Sequence, residues 1–390
     1  MKTIHIVRQF SPSVGGLEDS VLNLCRVQRD NLGIDARVVT LNRVFGDPAV
    51  LPPTDVVQGV PVQRIGWSGS TRYPIAPQIL SHLAGADIVH VHAIDFFFDY
   101  LAATRWLHGR TLVASTHGGF FHTKALRQVK ALWFQTLTRA SLHAYKRIVA
   151  CSVSDAQMFA PIAGKRLLTI ENGIDQRKFR AASSAAPTRT MISFGRFARH
   201  KQIDLLFPLL ARLRAQGEDW RLIVAGRPAD QTEADLAEAA RASGVAEATR
   251  FVIAPSDDML RSLFGEASYY CCLSQHEGFG LAAVEALSAG LIPVLSDIVP
   301  FRRLVEQTQV GIVRQAQDLD GLARDMRDLH RQGEAHVSAA RARAIAESSR
   351  YDWDDVARRY AELYRSVLPD GSAAVPQPLA MDAARGGTLT

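Results

Sequence analysis

Short apolar runs rich in β-branched residues alternate with helical periodicities along most of this 390-residue chain. Such alternation leaves few architectures open, because a strand followed repeatedly by a helix builds a parallel sheet with helices on both faces. Strands are expected at residues 3–7, 35–41, 88–92, 112–116, 147–151 and 167–170. A second series follows at 190–194, 220–225, 250–253, 268–273 and 292–295, with helical patterns at 18–30, 202–216 and 280–289 among the intervening segments. Between the two series lies Arg180-Ala-Ala-Ser-Ser-Ala-Ala-Pro187, which has small residues and no periodicity. It reads as an interdomain linker. The expected fold is therefore α/β, with two Rossmann-like domains, 1–180 and 188–351, facing each other across a cleft. Ligands of such sheets bind at the carboxyl ends of strands. Beyond Pro369 the chain turns rich in Gly, Ser, Ala and Pro, and residues 369–390 are expected to form a disordered tail.

Other classes are excluded by composition. No stretch reaches 18 uncharged apolar residues, so no spanning helix is expected. The segment Met1 to Arg8 lacks the apolar run and cleavage site of a secretory signal, so a cytoplasmic protein is expected. Four cysteines without a Cys-x-x-Cys pair suit a reduced core better than disulfides or structural zinc. The net charge of +6 is unevenly spread: residues 1–180 hold 21 Lys and Arg against 12 Asp and Glu, and residues 100–154 hold eight cations and no acid. The first half should meet something anionic.

Four segments could carry chemistry. Gly15 and Gly16 open the first helical pattern, where backbone N–H groups can approach an anion, although a plain tight turn is the simpler reading. Arg196, after Gly195, and Lys201 flank the start of a helical pattern with no carboxylate in the local loop. Two cations there suit a diphosphate, against a competing reading as solvated surface charge. Glu277-Gly278-Phe279-Gly280 leads into a helical pattern that carries Glu285. Gly278 to Ala283 also fits a dinucleotide fingerprint with Asp297 downstream, so an NAD-dependent oxidoreductase competes. Against it, the fingerprint follows a late strand, and Glu277 would repel the pyrophosphate. Eight helical residues rise about 12 Å, roughly the span from sugar to ribose in a nucleotide diphosphosugar. Glu277 could then accept from sugar hydroxyls and Glu285 from ribose hydroxyls, with the diphosphate on the backbone between them. His90 and His92 share a strand face but show no third metal ligand in the sequence.

Taken together, Gly15-Gly16-x-Glu18, Asn172-Gly173-Ile174-Asp175, Gly195-Arg196 with Lys201, and Glu277 with Glu285 resemble the family 4 retaining glycosyltransferases of GT-B fold. Thr116-His117-Gly118-Gly119-Phe120-Phe121-His122-Thr123 is similar, more narrowly, to the α-mannosyltransferases that use GDP-mannose and a diphosphopolyprenol-linked cellobiosyl acceptor in xanthan- and acetan-type exopolysaccharide assembly. The resemblance implies that His117 faces the transferred sugar and that Gly16 lies beneath the phosphates. It implies that Arg196 and Lys201 bind the diphosphate, Glu285 the ribose and Glu277 the sugar hydroxyls. It also implies a C-terminal helix, 352–367, returning to the first domain. Asp352-Trp353-Asp354 looks like a metal-binding D-x-D motif, but acids at a helix start are ordinary capping, and no metal or other cofactor is expected. Ile253-Ala254-Pro255 departs from the family, which often has Gly after that strand. Residues 124–147 interleave six cations with Trp133, Phe134 and Leu137, suiting an anionic membrane surface at the inner face of the cell membrane; a core helix with a basic face is the alternative. No nucleic-acid module accompanies the charge. A non-catalytic nucleotide-binding protein of the same fold remains a third reading.

Overall fold

The computed structural model describes residues 1–71, 73–117 and 133–369. The chain divides into two compact units, one of residues Met1–Asn172 with the segment from Trp353 onward, the other of Gly173–Asp352. It leaves the first unit at Asn172, eight residues before the segment read as a linker. Residues 180–187 belong to the second unit and are held there: the N–H groups of Ala181 and Ser183 donate to the carbonyls of Ser288 and Ala289, and Arg341 donates to the Ser183 hydroxyl. Small size and missing periodicity reflect a tight fit here rather than a free linker.

The first unit is an eight-stranded sheet built from β1 (Lys2–Ile6), β2 (Asp35–Leu41), β3 (Thr54–Val57), β4 (Val60–Ile65), β7 (Ile88–His92), β8 (Thr111–Ser115), β9 (Tyr145–Ala150) and β10 (Leu167–Thr169). Two short strands, β5 (Ser68–Ser70) and β6 (Tyr73–Ile75), pair separately. The order is β10-β9-β8-β7-β1-β2-β4-β3, parallel except for the β3–β4 hairpin. That hairpin was not expected from the sequence. Its two turn residues, Gln58 (φ 48°) and Gly59 (φ 81°), both adopt the left-handed region of a type I′ turn, where Gln is an unusual occupant. Every residue of β7 is buried, as a parallel strand covered on both faces requires.

One cover is α1 (Gly16–Asp30), which carries Glu18 and Asp19 in its first turn and Arg29 in its last, in line with the helix dipole. Beside it packs a helix from the far end of the chain, Trp353–Val367. Its buried Trp353, Val356, Ala357, Tyr360 and Tyr364 follow the 3–4 spacing of one apolar face, which joins Leu24, Val27, Ile88, Val113 and Val149 in one cluster.

The second unit has six parallel strands: β11 (Thr190–Phe197), β12 (Arg221–Pro228), β13 (Thr249–Ile253), β14 (Tyr269–Cys272), β15 (Ile292–Ser296) and β16 (Ile312–Arg314), ordered β13-β12-β11-β14-β15-β16. The helix expected at 202–216 begins only at Leu206, after two 3₁₀ turns. The strand order reverses between β11 and β14, the usual place for a ligand crevice in an open sheet. The loops that follow these two strands carry the polar motif residues.

Asn172-Gly173-Ile174-Asp175 lies where the chain passes from one unit to the next. The Ile174 N–H donates to the Tyr351 carbonyl at 2.7 Å, and Ile174 bridges Asp352, so outgoing and returning strands of chain are bonded side by side. Asp175 caps a short helix, Gln176–Phe179.

Candidate active site

In the second unit, Gly195 and Arg196 are exposed at the carboxyl end of β11. Gly226 on β12 faces Gly195 so closely that a Cβ would meet the Gly195 carbonyl oxygen; only glycine lets the two strands meet there. A small recess beside this strand end is lined by Gly195, Arg196, Lys201, Ile203 and Cys272.

Lys201 has a partner that local sequence did not reveal. Its Nζ lies 2.5 Å from Oε1 of Glu277, with the side chains 19% and 15% exposed. The local loop offers Lys201 no carboxylate; its partner arrives from 76 residues downstream. Burial works against the ammonium, but the Glu277 carboxylate outweighs it and the Lys201 pKa is raised. Ser274 Oγ donates to the same Glu277 oxygen at 2.8 Å. The Gln275 N–H donates to the His200 carbonyl at 2.8 Å, and the His200 and His276 rings stack at 4.7 Å. The post-β11 and post-β14 loops are thus tied to one another.

Gly280 has φ 87°, and a Cβ there would meet the Phe301 ring at 2.8 Å, so the position demands glycine twice over. Helix Leu281–Ala289 starts immediately after it. Glu277 therefore sits in the loop, and only Leu281 to Glu285 is helical; a 12 Å rise over eight helical residues does not describe the segment. Glu285 lies half-buried on the first turns of the helix, Gly278 is exposed, and the Phe279 ring packs edge-on against Tyr351.

In the first unit, Gly15 and Gly16 form the loop-to-helix junction after β1, with Gly15 as the extended residue before α1. The Ser13 hydroxyl donates to Glu18, which folds back over this loop. His117 follows β8 with φ 51°, a left-handed conformation uncommon outside glycine and found at strained functional positions. Its Nε2 is 2.9 Å from Nδ1 of His92, and burial lowers its pKa to about 4. His5, on β1, supplies the third imidazole beside His90 and His92. Residues 118–123 of the motif around His117, 124–132 of the basic stretch, and the tail from 370 lie outside the described residues. Within the D-x-D look-alike, Trp353 is buried, Asp352 takes part in the bridge to Ile174, and Asp354 accepts from Asn31 at 2.6 Å.

Sequence reasoning missed Asp95. Buried at the start of helix Phe96–Ala103, it caps the helix through Phe97 N–H at 2.9 Å, and burial raises its pKa to about 6 despite Arg8 nearby. An Asp before an apolar helix signals a cap; its desolvation appears only in the fold.

Loops with paired cations, carboxylates and exposed glycine backbone at the reversal of a parallel sheet make a site suited to a phosphorylated ligand. A family model described as Glycosyltransferase Family 4 matches residues 14–178, and one described as Glycosyl transferases group 1 matches residues 175–346. The chain is 56% identical over 94% of both chains to a GDP-mannose:cellobiosyl-diphosphopolyprenol alpha-mannosyltransferase of Komagataeibacter xylinus. It is 45% identical to the Xanthomonas campestris protein of the same name, over 94% of this chain and 97% of the other. Among solved structures, Anabaena HepE in complex with UDP and glucose superposes with a TM-score of 0.72 at 17% identity, covering 94% of this chain and 100% of that one. A Rickettsia africae glycosyltransferase gives 0.75 at 14% identity, covering 95% and 99%. The chain belongs to the family 4 glycosyltransferases, with the GT-B fold of two Rossmann-like domains. It is a glycosyltransferase, and the oxidoreductase reading of Gly278 to Ala283 is set aside.

Proposed function

We propose that this enzyme transfers mannose from GDP-mannose to a cellobiosyl unit on a polyprenyl diphosphate, with retention, in exopolysaccharide assembly. The carrying observation is 56% identity, along nearly the whole chain, to a relative named for that reaction. Arg196 and Lys201 bind the diphosphate, assisted by the backbone of Gly278 to Gly280, and no metal is needed because their charge serves in its place. Glu285 accepts from the ribose hydroxyls and Glu277 from hydroxyls of the mannose. Gly15 and Gly16 lie beneath the phosphates, and His117 faces the sugar. Transfer proceeds on the front face: the departing diphosphate oxygen takes the acceptor hydroxyl's proton while the cations stabilise the charge it gains.

The lipid-linked acceptor calls for approach to a membrane. No helix among the described residues is long and apolar enough to cross one. The first unit exposes Trp106 (81%) and Leu107 (55%) beside Arg105, and Trp133 and Leu137 beside Arg139. Exposed aromatic and aliphatic side chains among cations suit peripheral docking on anionic lipid, at the inner face of the cell membrane.

The test is transfer from radiolabelled GDP-mannose or UDP-glucose to a synthetic cellobiosyl-diphospholipid, with and without EDTA. An α-linked mannosyl product formed in both conditions is expected. Transfer only from the UDP-sugar, a β-linked product, or loss of activity in EDTA would each refute the corresponding part.

A further inference from the structure

Parallel pairing sets His5 opposite His90, and His92 lies two residues further along the same face of β7. All three are buried completely or nearly so. They look like a metal site, but every ring nitrogen already has a partner. His5 uses Gln28 and His92; His90 uses Tyr364 and the Ser115 hydroxyl; His92 uses His5 and His117. A metal would have to displace those bonds.

What the bonds form instead is a string with a direction. Gln28 Oε1 lies 2.9 Å from His5 Nε2, His5 Nδ1 lies 3.0 Å from His92 Nε2, and His92 Nδ1 lies 2.9 Å from His117 Nε2. Burial lowers the pKa of each of these imidazoles, so all three are neutral and each carries one N–H. A carbonyl oxygen can only accept, so His5 must carry its proton on Nε2 and accept at Nδ1. His92 must then donate from Nε2 and accept at Nδ1, and His117 must donate from Nε2. Gln28 is held in this sense by its other end, where Nε2 reaches the Tyr364 hydroxyl at 3.5 Å. Turning the amide over would reverse every bond in the string.

We propose that Gln28, His5 and His92 are positioning residues that fix the tautomer of His117, leaving its Nδ1 as a lone pair that accepts a hydrogen bond from a hydroxyl of the transferred sugar. The part concerning the sugar rests on the function proposed above; the tautomer does not. The polarity matters chemically. As the glycosyl bond breaks, the sugar gains positive charge, as in other glycosyl transfers. An acceptor at His117 draws the hydroxyl proton toward the ring and leaves its oxygen richer in electrons, which stabilises that charge. An N–H at the same place would withdraw electrons from it. The second atom of an imidazole sets what the first can do.

The experiment measures ring-nitrogen chemical shifts of the full-length protein labelled with ¹⁵N-histidine, which distinguish Nδ1–H from Nε2–H, together with steady-state kinetics. In the native protein His117 is expected as Nε2–H. Gln28→Met keeps the length of the side chain but removes the acceptor, so both polarities become accessible. The His117 shifts should then move toward a mixture of tautomers, and kcat for mannose transfer should fall about tenfold, the worth of one hydrogen bond, with KM for GDP-mannose little changed. Nδ1–H at His117 in the native protein would overturn the proposal, and so would unchanged shifts in Gln28→Met. If that variant does not fold, the native spectrum still decides. A shifted tautomer with unchanged kcat would overturn the role toward the sugar while leaving the string in place.

Discussion

Replacing Lys201 by Met separates two roles that its position combines. In the structure Lys201 neutralises Glu277; in the proposed reaction it also binds the diphosphate. At 2.5 Å and an effective dielectric of about 20, the Coulomb attraction is about 6–7 kcal/mol before desolvation. Removing one partner of a buried pair costs about 3–5 kcal/mol, and the partial exposure of both side chains places this case near the lower end, about 3 kcal/mol. Lys201→Met should therefore lower unfolding stability by about 3 kcal/mol, chiefly by leaving Glu277 unpaired. Adding Glu277→Gln removes the orphan charge and should recover about 2 kcal/mol, a coupling that a double-mutant cycle in urea measures directly. GDP affinity should behave otherwise. A charged hydrogen bond to the diphosphate is worth about 1.5–3 kcal/mol, so calorimetry should find GDP bound roughly 10- to 150-fold more weakly by Lys201→Met and no recovery in the double variant. If the double variant bound GDP as the parent does, Lys201 would serve only to neutralise Glu277, and the diphosphate role would fall.

Three further outcomes follow from the same geometry. Glu285→Gln should weaken binding of GDP itself about tenfold, whereas Glu277→Gln should leave it within about twofold and depress mannose transfer; equal loss in calorimetry would show that the two carboxylates do not divide the donor between them. The folded-state pKa of Asp95 is raised from 3.8 to about 6, so its contribution to stability is complete below pH 4 and lost as pH climbs through 6. Asp95→Asn keeps the helix cap and should raise the melting temperature at pH 7.5 but not at pH 4, the difference being about 3 kcal/mol; a gain independent of pH would refute the assignment. Ala254 has φ 47°, and its N–H is bound to the Gly226 carbonyl at 2.7 Å, so Ala254→Gly relieves about 1–2 kcal/mol of left-handed strain against about 0.4–1 kcal/mol of added chain entropy. A net gain of about 0.5–1 kcal/mol in urea unfolding is expected, and a loss would show that no strain is held there.

The departure at Ala254 illustrates what can be read from the chain alone. The local sequence marks the end of a strand, and the family resemblance marks a missing glycine; only the dihedral angle explains why glycine suits the position. Periodicity works well where one element carries its own signal. The β-branched run of β7, the amphipathic C-terminal helix and the Gly-x-Gly turn before Glu285 were all legible, because buried positions impose a pattern on neighbouring residues. The β3–β4 hairpin escaped notice because its turn uses Gln58, which carries no turn signature.

Pairings between distant residues are another matter. Local spacing could suggest that Arg196 and Lys201 seek an anion, but nothing near Lys201 announces Glu277, which reaches it because β11 and β14 are adjacent at the reversal of strand order. His5, Gln28, His90, His92, His117 and Tyr364 come from four elements and one loop end. His90 and His92 advertise a shared face, but the register that sets His5 against His90 belongs to the sheet, and Tyr364 arrives only because the last helix returns to the first unit. A chain writes each element's buried face into its own periodicity, while the contacts between elements depend on register and strand order, which are settled by packing the whole sheet at once.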